Sequence, residues 1–275
     1  MKIHALFFTS VALTSTGAFG QKIDTEQIPD LPIRSVPSGA PPQGVASRQG
    51  WSISLGGGIS YAPSYEGSAN NRRRFLPLLE ASYNNGKLFV SPTRGIGYNF
   101  SDSRDMQYGL RLALEHGRKQ NVDARLFGMG DVSRTADLGA FINWRFAPGY
   151  LSSALSASSH GSHFELGGGI NVPLSAADRL RLGANLNWGD SQYNQTYFGV
   201  TSAQAAASGN TLTTYNASAG IKDYALTANW AHTFSKEWFS STGLSHKRLT
   251  GSAQSSPLTM RRTTNSFNFL IGYRF

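Results

Sequence analysis

"DRLRLGANLNW", residues 178–188, alternates without a break. Leu180, Leu182, Ala184, Leu186 and Trp188 fall on one side of an extended chain; Arg179, Arg181, Gly183, Asn185 and Asn187 fall on the other. Successive side chains of a strand point to opposite faces, so the stretch predicts a strand with one apolar face. If that face meets lipid, the arginines must turn into a wet interior. An arginine on the lipid side costs about 2–4 kcal/mol at the bilayer midplane.

The pattern recurs. "WSISLGGGISY" (51–61), "DMQYGLRLALEH" (105–116), "DLGAFINWRF" (137–146) and the closing "SFNFLIGYRF" (266–275) alternate in the same way. A soluble antiparallel sandwich would alternate too. Here the apolar faces end in aromatics (Trp51, Tyr61, Trp144, Trp188, Trp230 and Trp238), as membrane-interface girdles do. Charged residues are 15% of the chain, against about 25% in a soluble domain. Yet mean hydropathy is −0.28. Past residue 20 no apolar run approaches the ~20 residues of a membrane helix. Lipid-facing residues interleaved with polar ones reconcile the two facts.

Strands are predicted at about 51–62, 73–83, 105–117, 136–147, 149–160, 162–173, 178–190, 217–234, 237–250 and 263–275. "KLFVSPTRGIGYNF" (87–100) as one strand would make an odd total, whereas bacterial single-chain barrels have even numbers. Pro92 and Gly95 divide it into 86–91 and 95–101. The reading is therefore an all-β transmembrane antiparallel up-and-down barrel of twelve strands, with ten as the alternative. Tight turns alternate with longer connections at 63–72, 118–135, 191–216 and 251–262. "SLGGGIS" (54–60) and "ELGGGIN" (165–171) echo each other; glycines inside strands mark a bend or a close approach of other groups. No phosphate-loop Lys-Ser/Thr follows either of them.

Residues 1–20 read as a secretory signal peptide: Lys2, an apolar run, then Ala18-Phe19-Gly20 before Gln21. Residues 21–50, with Pro29, Pro32, Pro37, Pro41 and Pro42, read as a Pro-rich periplasmic tether, a spacer or a docking peptide. The barrel is 51–275. Cysteine is absent, which excludes disulfides, thiol nucleophiles and thiolate metal sites. The net charge of +9 and pI near 9.9 carry no nucleic-acid module with them. An exported basic barrel points to outer-membrane lipid, lipopolysaccharide or an acidic wall polymer, or to charge spread over lumen and loops that binds nothing in particular.

Four stretches resemble the MipA/OmpV family of outer-membrane proteins: "YAPSYEGS" (61–68), "LFGMGDV" (126–132), "YFGVTSAQAAASG" (197–209) and "RLTGSAQSSPL" (248–258), closed by "YRF" (273–275). The resemblance runs from about Trp51 to Phe275. It implies a location in the outer membrane. It also implies a scaffold role linked to murein turnover, in which one member bridges a lytic transglycosylase and a murein synthase. Other members are described as adhesins or channels for small solutes. The ending Phe269, Ile271, Tyr273, Phe275 looks like the signal read by the barrel-assembly machinery.

No catalytic site, cofactor or metal site is expected. "SSHGSH" (158–163) sets His160 and His163 beside serines, but neighbours in one turn do not make a triad. No G-x-S-x-G elbow is present, and two histidines three apart without a third ligand make a poor metal site. Arg111, Glu115, Arg145, Arg179, Arg181 and Arg274 are the expected lumen charges; a positive lumen would favour anionic solutes. Arg72, Arg73 and Arg74 form a basic run at a rim. Tyr65, Glu66, Gly67, Tyr197, Phe198 and Gly199 lie in expected loops, as partner contacts or as a cover over the mouth.

Overall fold

The computed structural model describes residues 50–275. The expected signal peptide (1–20) and the expected tether (21–50), apart from Gly50, lie outside the described residues. Twelve strands follow in order: β1 (Trp51–Pro63), β2 (Asn71–Tyr83), β3 (Leu88–Ser91), β4 (Gly95–Asn99), β5 (Met106–Glu115), β6 (Thr135–Phe146), β7 (Gly149–Ser158), β8 (Gly161–Pro173), β9 (Asp178–Gly189), β10 (Gly220–Thr233), β11 (Trp238–Leu249) and β12 (Thr263–Arg274). Each pairs antiparallel with its chain neighbour, and β12 returns to β1 to close the barrel. The β1–β12 pairing satisfies two edges that lipid could not.

The alternation places the side chains as the sequence predicts. On β1, Trp51, Leu55, Ile59 and Tyr61 are exposed on the outer face. On β5, Leu110, Leu112 and Leu114 are exposed while Arg111, Ala113 and Glu115 are buried. At the β1–β12 seam, Gly58 faces Leu270. A β-carbon built on Gly58 would lie 1.9 Å from the Phe269 carbonyl oxygen, and one on Gly56 would lie 2.1 Å from that of Ile271. The triple glycine therefore permits close backbone contact where the barrel closes.

The pair β3–β4 is a short hairpin, divided as Pro92 and Gly95 predict. Gly95 takes the positive φ (+82°) of a turn. Because β3 pairs with β2 only from Ala81 to Tyr83, residues 71–80 of β2 have no strand partner on that side among the described residues. Pro77 lies in this stretch, in keeping with the confinement of strand prolines to edges.

Short turns gather at one end of the barrel, where Phe275 donates its backbone N–H to the Ile53 carbonyl oxygen (2.9 Å). Its ring meets Tyr273 (centroids 4.8 Å), which meets Trp238 (5.1 Å). Trp51–Tyr83 (5.3 Å) and Trp144–Phe146 (5.0 Å) extend the same aromatic rim. The chain-terminal Phe275 is thus a member of a girdle.

Candidate functional site

The four long connections, 64–70, 116–134, 190–219 and 250–262, all leave the opposite end. They hold three short α-helices between them, α1 (Ser191–Phe198), α2 (Ser202–Ala207) and α3 (Gly251–Ser255), and two 3-10 turns at Gln120–Val122 and Ala124–Leu126. Asp190 caps α1 by accepting the Tyr193 N–H (2.7 Å) and also accepts the Ser162 N–H (2.7 Å). Thr201 and Gln204 form a reciprocal capping box at the start of α2.

These connections pack on one another as a cap. Tyr65, Leu126, Met129, Val200, Ala205, Leu212 and Leu258, drawn from all four, form one apolar cluster. Phe198, Leu249, Ala217 and Ala253 form a second. Polar ties cross between the connections. The Tyr65 hydroxyl donates to the Leu258 carbonyl oxygen (2.7 Å), and burial pushes this hydroxyl's pKa up, which keeps the proton in place. Arg118 donates to the Tyr197 carbonyl oxygen (2.6 Å) and Gln204 to that of Met129 (2.7 Å). Arg125 donates through Nε (3.0 Å) and Nη2 (2.7 Å) to the Pro257 carbonyl oxygen. In a ring of twelve, the β5–β6 and β11–β12 connections stand half a turn apart, so the Arg125 tie reaches across the mouth.

Glu66 latches the cap to the wall. Its carboxylate accepts from Lys222 Nζ (2.9 Å to each oxygen) and from Lys247 Nζ (2.7 Å). Asp223 lies 3.0 Å from Lys222 and 3.6 Å from Lys247. Lys222 and Asp223 are adjacent and both buried, which strict alternation forbids. A register shift between Ile221 and Asp223 resolves this, since a bulge re-aims side chains. Burial alone would raise the Glu66 pKa, but the two ammonium groups outweigh it and hold the carboxyl well below the usual range.

The six expected lumen charges divide between the two halves of the barrel. Toward the cap, Arg111 is buried 3.6 Å from Glu165 and donates to Ser156 Oγ (3.3 Å). Glu115 is fully buried and accepts from the hydroxyls of Tyr193 (3.2 Å) and Tyr197 (3.3 Å). Toward the short turns, Arg145 donates to Gln107 (3.4 Å). Arg181 donates to Asn171 (2.9 Å) and lies over Tyr150, Arg274 lies over Phe239, and Arg179 is exposed. In the capped half Arg111 stands among the acids Glu115, Asp137 and Glu165, and the other four arginines collect in the other half. Of the rim arginines, Arg74 donates to the carbonyl oxygens of Pro63 (3.2 Å) and Ser64 (2.9 Å), and Arg73 is exposed.

Tyr65 and Phe198 are buried within the cap, where their side chains are part of its packing. Gly67 gives its carbonyl oxygen to the N–H groups of Met260 and Arg261 (2.8 and 2.9 Å). Gly199 bonds back to the Gln195 carbonyl oxygen (2.9 Å), ending α1 beside Tyr197. "SSHGSH" is only partly a turn. His160 sits in it, with Nδ1 3.2 Å from the Tyr197 hydroxyl. His163 belongs to β8, and its ring faces Glu115 and Asp137. Sequence reading missed Asp137, because no local spacing connects it to His163.

The four motif stretches are the segments that build this cap. A family model described as MltA-interacting protein MipA matches residues 55–275, both barrel and cap. The chain belongs to the MipA family. A search of curated proteins gave no match. Among solved structures, this MipA-family chain is similar to the NanC porin (6% identity, 81% of this chain and 98% of that one, TM-score 0.38). It is similar to the outer membrane channel DcaP of Acinetobacter baumannii (8%, 82% and 96%, 0.34). It is also similar to the translocator domain of autotransporter NalP from Neisseria meningitidis (10%, 83% and 90%, 0.44).

Proposed function

We propose that this chain is a non-catalytic scaffold of the Gram-negative outer membrane that docks a lytic transglycosylase, and with it a murein synthase, on its periplasmic side. Two things support the reading: the family is described by its interaction with MltA, and the four long connections are occupied with packing on one another. The observation that carries it is the cap, tied across the mouth by Arg125 and latched by Glu66. Such a closure disfavours steady passage of solutes. Barrels of this class keep short turns on the periplasmic side. Gly50, where the tether joins, lies at that end, accepting the Asn84 N–H (3.1 Å). The tether and the short turns are then the surfaces available to murein enzymes.

The test is binding of the purified full chain, refolded in detergent, to a purified lytic transglycosylase and a purified murein synthase. Saturable binding that weakens when residues 21–50 are scrambled is the expected result. Absence of binding to either enzyme overturns the scaffold. A second reading, a channel for small anionic solutes, is favoured by Arg145, Arg179, Arg181 and Arg274 in the uncapped half. A steady anion-selective current in a planar bilayer, reduced by Arg181→Gln, would establish it; a silent barrel would remove it.

A further inference from the structure

Three lumen side chains converge beneath the cap. Glu115 ends β5, Asp137 lies near the start of β6, and His163 lies near the start of β8. Their exposures are 2%, 1% and 3%. One donor atom from each lies within 4.8 Å of the other two. His163 Nδ1 stands 3.6 Å from Glu115 Oε2, and His163 Nε2 stands 3.7 Å from Asp137 Oδ2. These separations exceed the roughly 2.7–3.2 Å of an N–H···O hydrogen bond. They start from opposite nitrogens of the ring, and an ion takes only one of these, so one carboxylate stands near the ligand spacing of a tetrahedral zinc ion, about 3.4 Å for bonds of about 2.0–2.2 Å, and the other, within 4.8 Å, closes in on binding.

We propose that Glu115, Asp137 and His163 form a binding site for a divalent transition cation of the zinc type. One imidazole nitrogen and an oxygen from each carboxylate supply three corners of a tetrahedron, and the fourth is left to water or another oxygen. The donor set selects the ion class. A chain without cysteine offers no thiolate, and an imidazole beside two carboxylates suits zinc better than the all-oxygen preference of calcium or magnesium.

The surroundings point the same way. Glu115 Oε1 accepts from Tyr193 and Tyr197, and Oε2 lies on the His163 side. The two tyrosines lie four apart on α1 and so share one helix face. The Tyr193 ring lies against His163, with centroids 4.9 Å apart. Ligating carboxylates and imidazoles are held by an outer layer of this kind. The bland reading is a proton-sharing cluster that ties β5, β6 and β8 together without an ion.

The experiment is zinc content of the refolded full chain after equilibrium dialysis against zinc, with excess magnesium present, read by elemental mass spectrometry. The expected result is one bound ion in the wild type. His163→Gln and the pair Glu115→Gln with Asp137→Asn lose it, and His246→Gln, on the outer face of β11, keeps it. Tyr197→Phe weakens binding by about tenfold, as removal of an outer-layer partner does. Wild type holding no more zinc than His163→Gln overturns the site in favour of the proton-sharing cluster. Folding of each variant is checked by its heat-dependent shift on a gel. If the ligand variants do not fold, the zinc-edge absorption spectrum of the wild type decides. One imidazole with oxygen neighbours supports the site; several imidazoles, or no retained zinc, overturns it.

Discussion

At the short-turn end, Trp51, Trp144, Trp238 and Phe275 stand exposed on the outer face, several with a ring neighbour. At the capped end, Tyr65, Tyr193 and Phe198 are buried among other loops. The residue types are the same and their fates are opposite. On a strand, the position of an aromatic is fixed by parity, and lipid is its partner. In the cap, the partners are distant in the chain: the Tyr65–Leu258 bond joins residues 193 positions apart. The two ends should therefore respond differently to truncation. Damage to the cap should stay in the cap, and damage to the girdle should affect insertion and closure of the barrel.

The largest effect is expected from Phe198→Ala. Phe198 is fully buried against Leu249, Ala217 and Ala253. Deleting a buried phenyl ring costs about 3–5 kcal/mol. Limited proteolysis in micelles should cut within 190–219 in the variant and not in the wild type. The heat-dependent gel shift of the barrel should remain. Equal loss of both would show that cap and barrel unfold as one unit and would end the contrast between the two ends.

Glu66→Gln should follow, at about 2–3 kcal/mol, because it removes one of the two carboxylates that Lys222 and Lys247 share and leaves them Asp223 alone. Its side chain is 19% exposed, so water softens the loss. The sign with pH is definite. The folded carboxyl is held below the ordinary value of 4.5, so its stabilisation is fully present above that value and is lost only as pH falls through the depressed folded value. Hydrogen exchange of residues 64–70 should thus stay slow through pH 4.5 in the wild type and be faster in the variant. Weakening of the wild-type latch already near pH 5 would show that the two lysines do not govern Glu66.

The barrel was legible because period two is local. Leu180 to Trp188 show their face from spacing alone, and an even strand count forced the division at Pro92–Gly95 that β3 and β4 display. The four motif stretches could be singled out in the sequence, but not their convergence, which depends on ring order. Lys222 and Asp223 escaped for another reason: a bulge suspends the parity that sequence reading relies on. Asp137 escaped because it stands in "DLGAFINW" as one polar residue on a strand, and only closure brings it to His163.

Phe275→Ala gives the smallest expected change in equilibrium stability and the sharpest test of the girdle. Its backbone bond to Ile53 survives the substitution, because the N–H is untouched. What disappears is the ring contact with Tyr273 at 4.8 Å, worth about 0.5–1.5 kcal/mol for an aromatic pair. The urea midpoint of the refolded variant should therefore move little. Yield in the outer membrane of cells should fall much further, since the resemblance of the ending to an assembly signal concerns insertion and not the finished barrel. If yield and midpoint fall together, Phe275 is a stabilising girdle residue and nothing more. If yield alone falls, the terminal ring is read during assembly, and the short-turn end has a duty that the cap does not share.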